Sequence, residues 1–172
     1  MKRVLLLLSS SLLLAACQSH SVATDSNKMT DNLLSKDTQE MTSSDMKKVH
    51  TVVSRYDYVE TISRLKSAIA NKDMTLFAEI NHTKAAKEAG LDMQPATVLV
   101  FGHPKAGTPL MKKDPSFALQ LPLKVLVTEV DNQVQVSFND TRALIQGSGI
   151  EYSDVENSLA GAEKLITNTV TQ

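Results

Sequence analysis

His82 and His103 are the side chains best suited to move a proton or hold a metal, because imidazole titrates near neutrality. His50 falls in an extended apolar stretch and His20 in a polar one. No two histidines have His-x-x-x-His spacing and no thiol lies beside one, so the metal signal is weak and no metal or other cofactor is expected. His82 can equally cap a helix, and His103 can equally face water from a loop. His103 falls within Phe101-Gly102-His103-Pro104-Lys105-Ala106-Gly107-Thr108-Pro109-Leu110. Thr108 stands where a phosphate-binding G-x-x-x-x-G-K-[ST] loop needs lysine, and Pro109 removes an amide donor, so a nucleotide loop is excluded. Two readings stay open: a rigid connector set by its prolines and glycines, or a loop whose Lys105, Thr108 and free amides hold an anion. Glu79 and Glu129 fall in strands, where they could pair as carboxylates or face solvent. No serine sits in a G-x-S-x-G elbow, and no catalytic set is recognised.

A second chemistry belongs to Cys17, the only cysteine. Lys2 and Arg3 precede an apolar run from Val4 to Leu14, and Ala15-Ala16-Cys17 follows. A basic start, a short apolar stretch and small residues describe an export signal, and the run is well short of the roughly 20 residues of a membrane-spanning helix. Leu14-Ala15-Ala16-Cys17 resembles the lipobox of bacterial lipoproteins. That resemblance implies cleavage before Cys17, with residues 1–16 removed, and a lipid on its sulfur, the nucleophile the modification requires. Two acyl chains make such anchoring stable. By the same resemblance, Gln18, being other than Asp, implies transfer to the outer membrane, facing the periplasm, in a host with two membranes.

Without residues 1–16 the chain would keep 16 basic against 19 acidic side chains, a net charge of −3. Such a chain is poorly suited to nucleic acid, which selects clustered Lys and Arg. With Cys17 lipidated, no thiol remains for a disulfide, and the fold must rest on its core. Residues 17–48 are rich in Ser, Thr, Asp, Asn, Lys and Gln, without glycine, proline or aromatics. They read as a tether spanning on the order of 30 Å as a coil, or as a marginal helix over Asp31 to Met46.

The folded domain is expected over residues 49–172. Val49 to Ser54 reads as a strand. Asp57 caps a helix whose apolar stripe is Val59, Ile62, Leu65 and Ile69. A strand over Met74 to Ile80 follows. Asn81 or His82 then caps a short helix ended by Gly90. Ala96 to Phe101 is a central strand, and residues 102–114 are a loop. Leu121 to Val130 and Gln133 to Phe138 form a hairpin around Asp131-Asn132. Asp140 caps a short helical turn, and Tyr152 to Thr169 is one closing helix. Short links between strands predict an α+β fold with a mostly antiparallel sheet and helices on one face.

From Val52 to Asp140 the chain resembles the Domain of Unknown Function 302 family. The matching stretches are Glu79-Ile80-Asn81-His82 with Ala85, Ala86 and Gly90; Phe101 to Met111; Leu119 to Val125; and Val136-Ser137-Phe138-Asn139-Asp140. His103 and Asn81 depart from the Asn and Asp common in that pattern. The resemblance implies a single β-α-β(4)-α domain with a TATA-binding-protein-like outline, often a homodimer, and supplies no function. Its recurring polar positions fall on His82, Lys105, Thr108, Lys124 and Asp140, which with His103 are expected to line one ligand or anion cleft. The leading expectation is therefore a membrane-anchored binding module for a small anionic or apolar ligand or a partner protein. An enzyme or stress-protective factor using His82 as acid/base and Lys105 as anion holder is the alternative, and a structural homodimer of the envelope is another.

Overall fold

The computed structural model describes residues 48–172; the expected signal segment, Cys17 and the expected tether as far as residue 47 lie outside the described residues. Strand β1 (Val49–Val53) is followed by helix α1 (Tyr58–Asn71), β2 (Thr75–Asn81), α2 (His82–Glu88), β3 (Ala96–Gly102) and α3 (Pro104–Lys113). A 3-10 segment (Pro115–Gln120) then leads into β4 (Leu123–Val130), β5 (Gln133–Asn139), α4 (Thr141–Ile145), α5 (Tyr152–Val155) and α6 (Leu159–Thr171). The five strands form one antiparallel sheet in the order β1-β5-β4-β3-β2, so α1 carries the chain from one edge to the other.

Period-two alternation sends Leu99, Phe101, Val125, Val127, Val136 and Phe138 to one face, where α1 and α6 cover them. Asp57 starts α1 by accepting the Glu60 amide at 2.8 Å. The stripe of α1 differs from expectation by one residue. Tyr58 packs at the core margin and its hydroxyl donates to Thr97 at 2.8 Å, while Val59 is 75% exposed. Spacing from Ile62 back to Tyr58 is a full four residues, which keeps the stripe on one line. The β4–β5 hairpin turns at Asp131 and Asn132, both at positive φ (51° and 58°), the pair of left-handed residues that a tight two-residue hairpin demands.

Two expectations fail near the end of the sheet. Residues 104–113 are helix α3, not a loop. Pro104 occupies the first turn, where its missing N–H is harmless. Ala106, Gly107, Leu110 and Met111 line its inner side at helical spacing, with Leu110 buried. Pro109 removes a bond to Lys105, but both residues are exposed, so water can serve that carbonyl. Gly107 permits close packing, since a Cβ there would stand 3.2 Å from Leu121 Cδ1. The closing helix is likewise two helices, parted at residues 156–158. The break lets Val155 and Leu159 join Leu110, Phe117, Leu144 and Ile150 in a second apolar cluster, while Ala162, Ile166 and Val170 complete the sheet core.

Candidate functional site

At the end of the sheet where β3 finishes and β4 begins, α3, the 121–123 segment and the start of α6 border a half-open cavity of about 610 Å³. Its wall is largely apolar, with Met74, Phe77, Met111, Leu121, Leu123 and Leu165 among its residues. Phe77 reaches it because β2 bulges between Leu76 and Ala78. Polar groups are few: Lys72, His103, Thr108, Asn157 and Ser158. His103 precedes α3 without capping it through its side chain, and its Nδ1 is buried with no hydrogen-bond partner among the described residues. The broken junction of α5 and α6 contributes Asn157 and Ser158, so the irregularity in the closing helix opens onto the cavity.

The residues expected to share one cleft are dispersed. His103 and Thr108 line the cavity. Lys105 lies outside it, beside a shallow depression with Pro109 and Lys112. Because residues 104–113 are helical, their inner amides are engaged in the helix, which removes the anion-holding loop that Lys105 and Thr108 were to form. His82 is exposed at the opposite end of the sheet, since β2 pairs Asn81 with Thr97 but Thr75 with Gly102. Five residues of strand separate those ends, about 17 Å at 3.3 Å per residue, so His82 cannot act beside the Lys105–Thr108 segment. Asn81, not His82, caps α2, accepting the Lys84 amide at 2.8 Å. Lys124 is exposed and donates to the Pro122 carbonyl at 3.3 Å. Glu79 pairs with Lys66 at 2.6 Å, not with Glu129, because β3 stands between their strands.

Asp140 belongs to a second grouping. Its Oδ1 accepts the Ala143 amide at 2.9 Å and starts α4, while Oδ2 meets His50 Nε2 at 2.7 Å. Burial pushes this carboxyl upward, but the Ala143 amide and the His50 hydrogen bond and charge outweigh it and hold its pKa below the usual value. Glu163 on α6 accepts both the amide and the hydroxyl of Thr141. One donor atom each from His50, Asp140 and Glu163 lies within 4.8 Å of the others. Sequence reasoning missed this set because His50 and Asp140 are 90 residues apart and Glu163 carries no local motif; only the pairing of Val49 with Asn139 brings the first two together.

The sequence pattern of the domain of unknown function DUF302 matches residues 50–169. Over 97 residues the chain is 36% identical to proteins named Fluoride-specific ion channel FluC 1 of Brucella suis biovar 1 (strain 1330) and of Brucella abortus biovar 1 (strain 9-941). That stretch is 56% of this chain but only 38% and 36% of those relatives. The crystal structure of the uncharacterized conserved protein DUF302 from Bacillus stearothermophilus superposes with a TM-score of 0.58 at 18% identity, over 73% of this chain and 97% of that one. The likeness is one of fold.

Proposed function

The chain belongs to the DUF302 family, and on that premise we propose that it is an envelope lipoprotein whose domain captures a small, mostly apolar molecule in the cavity beside α3. The single observation that supports this reading is the cavity itself: about 610 Å³, within the range of small-molecule sites, with a wide apolar wall and few polar groups. Two methionines, Met74 and Met111, give that wall adaptable shape. His103 and Thr108 supply polarity at one side, which suits a ligand with one polar end. The wall favours an apolar ligand over an inorganic anion, since Lys72 is the one lysine among its residues, Lys105 does not reach it, and most of the lining is apolar.

Lipid on Cys17 would hold the domain at a membrane surface, in the outer membrane facing the periplasm where the host has two membranes. The relatives named as ion channels share a 97-residue stretch with this chain, which supports a placement beside a bilayer. Their fluoride activity is not assigned to this chain, because the matched stretch covers little more than a third of them. No helix among the described residues is long and apolar enough to cross a membrane. A Cys17→Ala chain should leave the membrane fraction for the soluble one; an unchanged membrane pool would refute the anchor.

The binding test uses a fluorescent decanoate analogue, with inorganic phosphate as the anionic control. Gly161 lines the cavity and a Cβ there meets nothing within 4 Å, so the backbone admits a side chain and Gly161→Phe adds a ring at the cavity wall. The full chain should bind the decanoate probe and not phosphate, and G161F should weaken binding at least tenfold with an unchanged unfolding transition. Equal binding by G161F would remove the cavity from consideration.

A homodimer finds one supporting observation. The sheet face opposite α1 and α6 carries the row Ile80, Val98 and Leu126, with Ile80 43% exposed. Sedimentation of the chain and of an Ile80→Lys variant tests that reading: a dimer that I80K leaves intact would place its interface elsewhere.

A further inference from the structure

We propose that His50, Asp140 and Glu163 form a binding site for one divalent transition-metal ion, apart from the apolar cavity. The donors come from three places in the chain: His50 from β1, Asp140 from the N-cap of α4 just after β5, and Glu163 from α6. Each carboxylate is oriented through one oxygen. The Ala143 amide holds Asp140 Oδ1, and the Thr141 amide and hydroxyl hold Glu163 Oε1. Outer hydrogen bonds of this kind aim ligands at an ion and leave the second oxygen of each carboxylate for it.

Charge argues for a cation. Two carboxylates are brought together with one imidazole, and neither has a lysine or arginine at ion-pair distance among the described residues. The imidazole can offset one negative charge only by taking a second proton. A divalent ion offsets both and accepts the Nε2 lone pair as well, with the ring proton on Nδ1. His50 and Asp140 keep 38% and 17% of their side-chain surface exposed, so an ion can reach them.

The geometry needs little adjustment. A tetrahedral ion about 2.1 Å from each donor sets donors about 3.4 Å apart. The present donors lie within 4.8 Å of one another, with His50 and Asp140 at 2.7 Å. The ring therefore backs away by somewhat under 1 Å and the glutamate closes in by at most about 1.4 Å, movements within reach of side-chain torsions. One nitrogen and two oxygens suit Zn²⁺, Mn²⁺ or Fe²⁺, while Ca²⁺ requires six or more oxygens. The fourth position stays open to water.

The test is calorimetric titration of the full, untagged, chelator-stripped chain with Zn²⁺ and Mn²⁺, with Ca²⁺ as control. Absorption in the d–d region after Co²⁺ loading reports coordination directly. Glu163→Gln and Asp140→Asn keep an oxygen for the Thr141 and Ala143 donors, so both should fold, as circular dichroism would check. One ion per chain is expected, with affinity at least tenfold lower in E163Q, D140N and His50→Gln, and unchanged in His82→Gln. The absence of stoichiometric Zn²⁺ or Mn²⁺ binding, or binding that survives in H50Q and E163Q, would overturn the site. Neither result bears on the decanoate test, because the two sites share no residue.

Discussion

The sheet core and the apolar cluster at its end solve the same problem by different means. In the first, five paired strands and two helices bury Leu99, Phe101, Val125, Val127 and Val136 almost completely. In the second, α3, the 3-10 segment, α4 and α5 gather Leu110, Phe117, Leu144, Ile150 and Val155, and no strand ladder lies among them. Polar ties close it instead. Asp114 accepts from the Ser116 hydroxyl and the Gly149 amide, and Lys113 pairs with Asp154 at 2.6 Å. The regular region supplies stability, and the irregular one shapes the cavity wall. Such local clusters open at lower free energy than a strand core does.

Truncation tests that division most severely in the sheet. Phe101→Ala should cost about 3–5 kcal/mol in denaturant unfolding and lower the whole transition. Leu110→Ala should cost about 2–3 kcal/mol, and amide exchange should quicken in α3, the 3-10 segment and α5 ahead of β3 to β5. Equal quickening in both regions would show one cooperative core and break the comparison. Asp57→Ala removes the α1 cap and should cost about 1 kcal/mol in the same unfolding measurement, felt only by the sheet core.

The smallest effect concerns acid. The Ser116 hydroxyl and the Gly149 amide lower the Asp114 pKa, and Lys113 with the Glu151 amide lowers that of Asp154. A carboxyl lowered on folding adds stability above its unfolded value of about 3.9, and that stability is lost as pH falls through the lower folded value. Both groups serve the second cluster. Acid should therefore loosen α3 and α5 before the sheet, and Asp114→Asn, which keeps an acceptor for Ser116 but loses the one for Gly149, should weaken that pH dependence below about pH 4. Fluorescence of a probe attached at Lys112→Cys would follow it.

Legibility in the sequence follows the same division. Alternation and capping residues make the strands and α1 readable, and Asp57, Asn81, Gly90 and Asp140 act as their types suggest. Helix α3 was hidden because two prolines and a glycine outweigh its spacing of Ala106, Gly107, Leu110 and Met111. The split closing helix was hidden because one apolar repeat runs through residues that serve two different clusters. His103 and Thr108 stand out by residue type and reach the cavity wall, although the helix that carries them there was not readable. His50 and Glu163 meet only through strand pairing and helix docking, which local spacing does not encode.

The position of β1 has a mechanical consequence. It is an edge strand of five residues, bonded to β5 on one side only. Any pull transmitted through Lys48 enters the domain there, one residue from the Val49–Asn139 pair. The His50–Asp140 contact stands at that same corner, and Glu163 on α6 holds the next residue, Thr141, by its amide and hydroxyl. It acts as a rivet at the point where a tug would start to peel the sheet, so the first strand to feel a load is also the one fastened to the helix that closes the fold.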